Sequence, residues 1–340
     1  MKVLFILKER FYNTNINVKS YGLINSAKLV ADALIEWGIQ AKVVSVIDGN
    51  GIDKEVNDYK PDVVIIEALW VSSEKLKELI EIRRYRNICW IVRVHSNIGF
   101  LSSETYALKY INEYIDLNKT NLIISTNNKE FNNYLTKILN YNFEYLPNII
   151  KVQPKKNINK NITNIMNVGC FGSLRILKNQ VFQAICSMEA ANRLNKILNF
   201  HITVDANINS NVQNSVLKNL EELFKNSKHI LVKHEWKENG DFKALVREMD
   251  LGLQLSFTES FNIVTADFVN NGIPILVSDT IEWMPSILKT STVNFKETTK
   301  AIISVYKKRY SSFLLNKMRK ALEKYNYNAE LIWIDFLKKL

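Results

Sequence analysis

The stretch LGLQLSFTESFNIVTADFVNNGIPILVSD, residues 251–279, reads as one complete strand–helix–strand unit. LGLQLS (251–256) is an apolar run of strand length, and IPILVSD (273–279) is a second. Between them a helix is predicted from about Asn262 to Asn271, with Ser260 or Asn262 as its N-cap, Gly272 at C′ and Pro274 beyond. Strands that are apolar on both faces and joined by a helix belong in a parallel sheet covered on both sides. Two acids interrupt this apolar unit: Glu259 in the loop at the helix mouth, and Asp267 about one turn inside, where Asp is a mediocre helix former.

The same alternation extends in both directions. KVLFIL (2–7), AKVVSVI (41–47), KPDVVIIEAL (60–69), NICWIVRVHS (87–96) and NLIISTN (121–127) read as strands separated by helical patterns, the first helix being GLINSAKLVADALIEWG (22–38). The pattern pauses at KVQPKKNINKNITN (151–164), a polar, Lys- and Asn-rich linker, and resumes with IMNVGCFG (165–172), NFHITVD (199–205) and HILVKHE (229–235). The fold class is therefore α/β. An N-terminal Rossmann-like domain is expected over 1–150, and a C-terminal one over 165–324. The closing segment, 325–340, is an amphipathic helix with Trp333 and Phe336 on one side, expected as a packing helix in preference to a membrane anchor, with the first domain as a candidate for it to pack back on.

Composition bounds the partners. With 340 residues, 47% hydrophobic and 23% charged, the chain can bury two cores. The longest apolar runs fall short of the ~20 residues of a membrane span, and the N-terminus carries no cleavage signal, so a cytoplasmic protein is expected. Cys89, Cys170 and Cys186 are few, odd in number and widely spaced, which excludes a disulfide framework and a zinc knuckle. A net charge of +11 favours anionic partners: nucleic acid, an anionic membrane on which the protein would sit peripherally, or phosphorylated ligands. No obligate protein partner is readable.

Ligands of open α/β sheets bind at the carboxyl ends of the strands. In GCFGSLRILKNQ (169–180), Gly169 and Gly172 let backbone approach a ligand, the following helix start offers free N–H groups, and Arg175 and Lys178 add positive charge, a combination that suits a diphosphate. His95 ends a strand of the first half, Gly22 lies at the first strand–helix turn after a polar loop (8–21), and LPNII (146–150) closes the half.

The order of these features resembles the GT-B-fold glycosyltransferases, and family 4 in particular: a glycine-ended strand with a basic pair, then an acid, seven residues, a second acid and Gly-x-Pro. Here these are VGCFGSLRILKNQ and TESFNIVTADFVNNGIP, preceded by VRVHS, LIISTN and YLPNI. The resemblance implies two Rossmann-like parallel-sheet domains facing a central cleft, and a hexosyltransferase-type enzyme that is retaining and metal-independent. It implies no cofactor, only a nucleotide sugar such as a UDP- or GDP-sugar as donor.

The same resemblance assigns roles. Arg175 and Lys178 would neutralise the donor diphosphate, Glu259 would bind the sugar hydroxyls, Phe261, Asn262 and Ile263 would offer backbone N–H groups, and Asp267 would bind the ribose. His95 would reach the sugar from the opposite domain, and Gly22 would open the loop beside the acceptor. This chain departs from the family in having Asp267 for the usual Glu, Ser260-Phe261-Asn262 for Gly-Phe-Gly, and a single Gly22 for a Gly-Gly. The acceptor stays open between a cell-envelope glycan or lipid and a hydroxymethylated base in DNA. Competing readings are a non-catalytic nucleotide- or nucleic-acid-binding protein and a dinucleotide-dependent oxidoreductase, the latter opposed by the lack of GxGxxG after any strand.

Overall fold

The computed structural model describes residues 1–9, 21–154, 163–204 and 211–340. Most of the polar loop before Gly22 and most of the linker lie outside these residues. The described chain forms two compact units, one comprising Met1–Lys151 with Asn326–Leu340, the other Val152–Tyr325.

In the first unit, β1 (Lys2–Lys8), α1 (Tyr21–Glu36), β2 (Gln40–Val46), α2 (Gly51–Tyr59) and β3 (Val63–Glu67) follow one another in chain order. They continue as α3 (Ser73–Glu81), β4 (Cys89–Val94), α4 (Ala107–Asp116), β5 (Leu122–Thr126), α5 (Lys129–Leu139) and the short β6 (Glu144–Tyr145). The strands lie in the order β2-β1-β3-β4-β5-β6 and every pair is parallel. Central strands are buried end to end, as Val63–Glu67 is, because helices cover both faces. Trp333 and Phe336, near the C-terminus, are buried, with the Trp333 ring against Phe5 of β1 and its indole N–H donating to the Pro147 carbonyl at 2.8 Å.

The second unit repeats the plan with β7 (Ile165–Cys170), α6 (Gln180–Arg193), β8 (Ile197–Thr203), α7 (Asn211–Lys225), β9 (Ile230–His234) and α8 (Asn239–Glu248). Then come β10 (Leu251–Gln254), α9 (Ile263–Asn270), β11 (Ile275–Val277), α10 (Phe295–Lys307) and α11 (Ser312–Lys339). The parallel order is β11-β10-β7-β8-β9. Helix α9 begins where the sequence places it: the Asn262 side chain accepts the Thr265 amide at 2.8 Å, and Gly272 at C′ has φ +69°, the left-handed conformation that glycine adopts most readily.

One deviation is the length of the last helix. A start near 325 is expected from the amphipathic pattern, yet α11 begins at Ser312, because Leu314, Met318 and Leu322 carry the buried stripe one helical repeat after another into the second unit.

Candidate active site

Strand order reverses direction at β7/β10, the topological switch point where the crossover helices part and a crevice opens at the strand ends. Here Gly169 and Gly252 are register partners on neighbouring strands. A Cβ on Gly252 would lie 2.6 Å from the Phe268 ring, and one on Gly169 would lie 2.9 Å from it and 2.6 Å from Phe171. The two glycines thus form the seat on which α9 docks. This packing is reason enough for glycine at position 169, independent of the ligand-approach role the sequence suggests.

Three residues on, Gly172 turns the chain at φ +109°, and a Cβ there would sit 3.9 Å from the Lys178 ammonium. The loop from Phe171 to Gln180 is then pinned to the end of β10. Gln254 donates to the Phe171 carbonyl at 2.9 Å, Asn179 to the carbonyls of Leu255 and Thr292, and Gln183 both to the Lys178 carbonyl and, as acceptor, from the Leu255 amide. Buried amide side chains that are satisfied in this way hold backbone rigidly. They aim Lys178 inward, where its Nζ lies 2.5 Å from Glu259 Oε1 and 3.4 Å from Gln254 Oε1. Arg175 remains exposed, with no side-chain hydrogen bond or ion pair to another described residue.

Glu259 and Lys178 form a largely buried pair, 8% and 17% exposed. Phe261 is buried, stacked on Trp283 and against Tyr325, with its carbonyl accepting the Trp283 indole N–H. Asn262 has φ +66° and spends its carboxamide fully: Oδ1 accepts from Thr265 N and Oγ1, and Nδ2 donates to Gln254. The first amides of α9, those of Ile263 and Val264, find no acceptor among the described residues, as helix geometry dictates for N1 and N2. They carry the positive end of the helix.

Asp267 lies one turn further, its carboxylate without a hydrogen-bond partner among the described residues while its backbone carbonyl serves Asn271. Burial pushes its carboxyl up to about 7, and the Lys243 charge draws it partly back. Asp267 thus places a carboxyl with a raised pKa, and no partner among the described residues, on the helix at the switch-point crevice.

In the first unit, His95 follows β4 and joins a network that the sequence reading left out. Glu67, at the end of β3, and Arg93 are both fully buried; the guanidinium meets both Glu67 oxygens at 3.1 and 3.2 Å. Arg93 also donates to the Leu146 carbonyl at 2.9 Å and to Asn148 Oδ1 at 2.6 Å, which in turn accepts from Ser26. His95 Nε2 bonds the second Glu67 oxygen, and Nδ1 faces the Asn127 amide at 3.0 Å. One carboxylate already balances one guanidinium here, so a third charge would be desolvated without compensation. Burial accordingly lowers the His95 pKa against the pull of Glu67, leaving a neutral ring that donates from Nε2. Both His95 nitrogens are therefore engaged inside this unit.

Gly22 lies in the first turn of α1, exposed, with nothing within 4 Å of where a Cβ would stand. Burial pushes the thiols of Cys89 and Cys186 up to about 11 and that of Cys170 to about 12, so none supplies a thiolate nucleophile. Among the described residues no group of three or more His, Cys, Asp and Glu gathers as a metal site would, and no helix is long and apolar enough to cross a membrane.

No family model matches the chain, and no curated protein does. Solved structures do match. Sucrose-phosphate synthase from Thermosynechococcus elongatus superposes with a TM-score of 0.72 over 100% of this chain and 98% of its own, at 10% identity. An E. coli trehalose-6-phosphate structure, described as bound with UDP-2-fluoro glucose, gives 0.67 over 99% of each chain at 8% identity. A glycosyltransferase from Rickettsia africae gives 0.63 over 99% and 97% at 12% identity. At such identities the likeness speaks for the fold, and with two parallel sheets matched over nearly the full length, the chain has the GT-B fold.

Proposed function

We propose that this protein is a retaining, metal-independent glycosyltransferase of the family 4 type, and that its second unit binds the nucleotide-sugar donor. The observation that supports this most is the gathering, after β7 and β10 at the switch point, of an inward-held cation, an exposed cation, an acid, and two helix amides and an Asp267 carboxylate without partners among the described residues. No simple packing need gathers these groups at one crevice.

Each group has a place in donor binding. The diphosphate takes the Lys178 ammonium, the Arg175 guanidinium and the amides of Ile263 and Val264; the sugar hydroxyls donate to Glu259, and the ribose hydroxyls donate to Asp267. Lys178 and Glu259 neutralise each other without ligand, so donor binding is an exchange of partners: the phosphate replaces Glu259 at the ammonium, and sugar hydroxyls replace Lys178 at the carboxylate. As the glycosidic bond breaks, negative charge grows on the departing diphosphate while the sugar ring becomes oxocarbenium-like. Fixed cations and helix amides stabilise that charge more in the transition state than in the ground state, a contribution on the order of several kcal/mol.

The test is a panel of nucleotide sugars incubated with the purified protein, with release of free nucleotide followed alone and with glycan, lipid and hydroxymethylated-DNA acceptors. Release from at least one donor, accelerated by one acceptor class, supports transfer. Tight nucleotide binding without any turnover replaces it with the non-catalytic nucleotide-binding reading.

A further inference from the structure

We propose that the turn between α10 and α11, together with the first exposed face of α11, is a docking surface for an anionic phospholipid membrane. Charge is concentrated there. Residues 298–322 contain seven Lys and Arg and no Asp or Glu, leaving 38 basic against 34 acidic residues for the remaining 315. Nearly two thirds of the net charge of +11 thus sits on one helix–turn–helix segment of the second unit.

The cations are divided by type. Both arginines are occupied: Arg309 lies 3.4 Å from Asp250 with its guanidinium over the Tyr306 ring, and Arg319 lies 2.8 Å from Glu323. Lys307, Lys308, Lys317 and Lys320 have no acidic partner among the described residues. The available charges are therefore point-like ammonium groups on long apolar stems, which attract lipid phosphates and can snorkel. Both guanidiniums, the groups best suited to clamping nucleic acid, already face an acid.

The patch also has an apolar component. Phe313 is 60% exposed and Tyr310 is 45% exposed, at the turn itself. Phe313, Lys317, Lys320 and Lys324 follow at i, i+4, i+7 and i+11, one stripe of α11 opposite the buried Leu314, Met318 and Leu322. An exposed aromatic tip backed by a lysine stripe matches the composition of helices that lie in the headgroup region, aromatic ring inward and ammonium groups at the phosphates. The occupancy of this surface does not depend on the transferase reading.

Flotation of the full chain with vesicles of phosphatidylcholine alone, and of phosphatidylcholine mixed two to one with phosphatidylglycerol, tests the proposal at physiological salt. The wild type is expected on the anionic vesicles only. The double variant Lys317→Glu, Lys320→Glu is expected to lose binding at least tenfold, and Phe313→Ser several-fold, each with an unchanged melting temperature. Lys137→Glu with Lys228→Glu alters net charge equally on exposed positions elsewhere and is expected to retain binding. Equal loss in both double variants, or loss of single- or double-stranded DNA binding in the Lys317/Lys320 variant with no vesicle binding by the wild type, overturns the proposal.

Discussion

Lys178 Nζ lies 2.5 Å from Glu259 Oε1, joining the loop after β7 to the loop after β10 across the switch point of the second sheet. Removing one member of so buried a pair takes away the opposite charge that compensates the other. Lys178→Met and Glu259→Gln are each expected to destabilise the protein by about 3 kcal/mol, and the double variant by less than the sum. Denaturant melts of the three variants read the coupling; full additivity would mean that the pair is not energetically joined.

Asp267 gives a prediction with a sign. Its folded-state pKa of about 7 lies above the ordinary 3.8, so the native state keeps its proton to higher pH than the unfolded chain does. The resulting stability is complete below pH ~4 and is lost as pH rises through about 7. Asp267→Asn, which cannot ionise, is expected to be more stable than wild type at pH 8 by about 2 kcal/mol, roughly half the full linkage value because the carboxyl keeps some solvent. It is equally expected to weaken donor binding at that pH. Melts at pH 5 and pH 8 check this: the difference at the lower pH should be less than half that at pH 8, because only part of the linkage has been lost there, and equal effects at both would contradict it.

The Gly169–Gly252 seat predicts that either glycine changed to Ala collides with the Phe268 ring and costs about 1–3 kcal/mol. Pairing Gly252→Ala with Phe268→Leu should recover part of the loss, because the smaller side chain yields the space. Melting temperatures of the single and double variants decide it.

Glu67→Gln leaves the Arg93 guanidinium buried beside a neutral amide, with an expected cost of about 3 kcal/mol or more. His95→Asn should cost much less, since the ring adds no charge to the pair. A larger effect from His95 than from Glu67 would mean that the network is organised around the imidazole instead.

The alternation of apolar runs and helical patterns was enough to place the parallel sheets, because strands buried on both faces leave a continuous hydrophobic signature. The cap at Asn262 and the stop at Gly272 were legible for the same local reason. Asn262 also explains its own departure from the glycine that the resemblance leads one to expect: with φ +66° it occupies the conformation glycine favours, which Asn tolerates best among other residues, and its side chain caps the helix in exchange.

What the sequence did not carry was long-range polar pairing. Glu67, Arg93, Asn127 and Asn148 are separated by up to 81 positions and look like ordinary strand-end residues until the sheet brings them together. Gln254 reads as a polar interruption in an apolar strand, and that interruption was its only signal. Gly169 carries a second reason that its sequence context does not show: glycine at a strand end suggests a ligand, and here aromatic rings take the space a side chain would need. The basic stripe of α11 was hidden because the helix begins 13 residues before the amphipathic pattern of 325–340 suggests.

The most direct test of the donor site is calorimetric titration of wild type, Lys178→Ala, and Lys178→Ala with Arg175→Ala against UDP and GDP. One nucleoside diphosphate is expected to bind the wild type, Lys178→Ala to weaken that binding at least tenfold, and the double variant to weaken it further. Binding unaffected by either change, or no binding of any nucleoside diphosphate to the folded wild type, would contradict it.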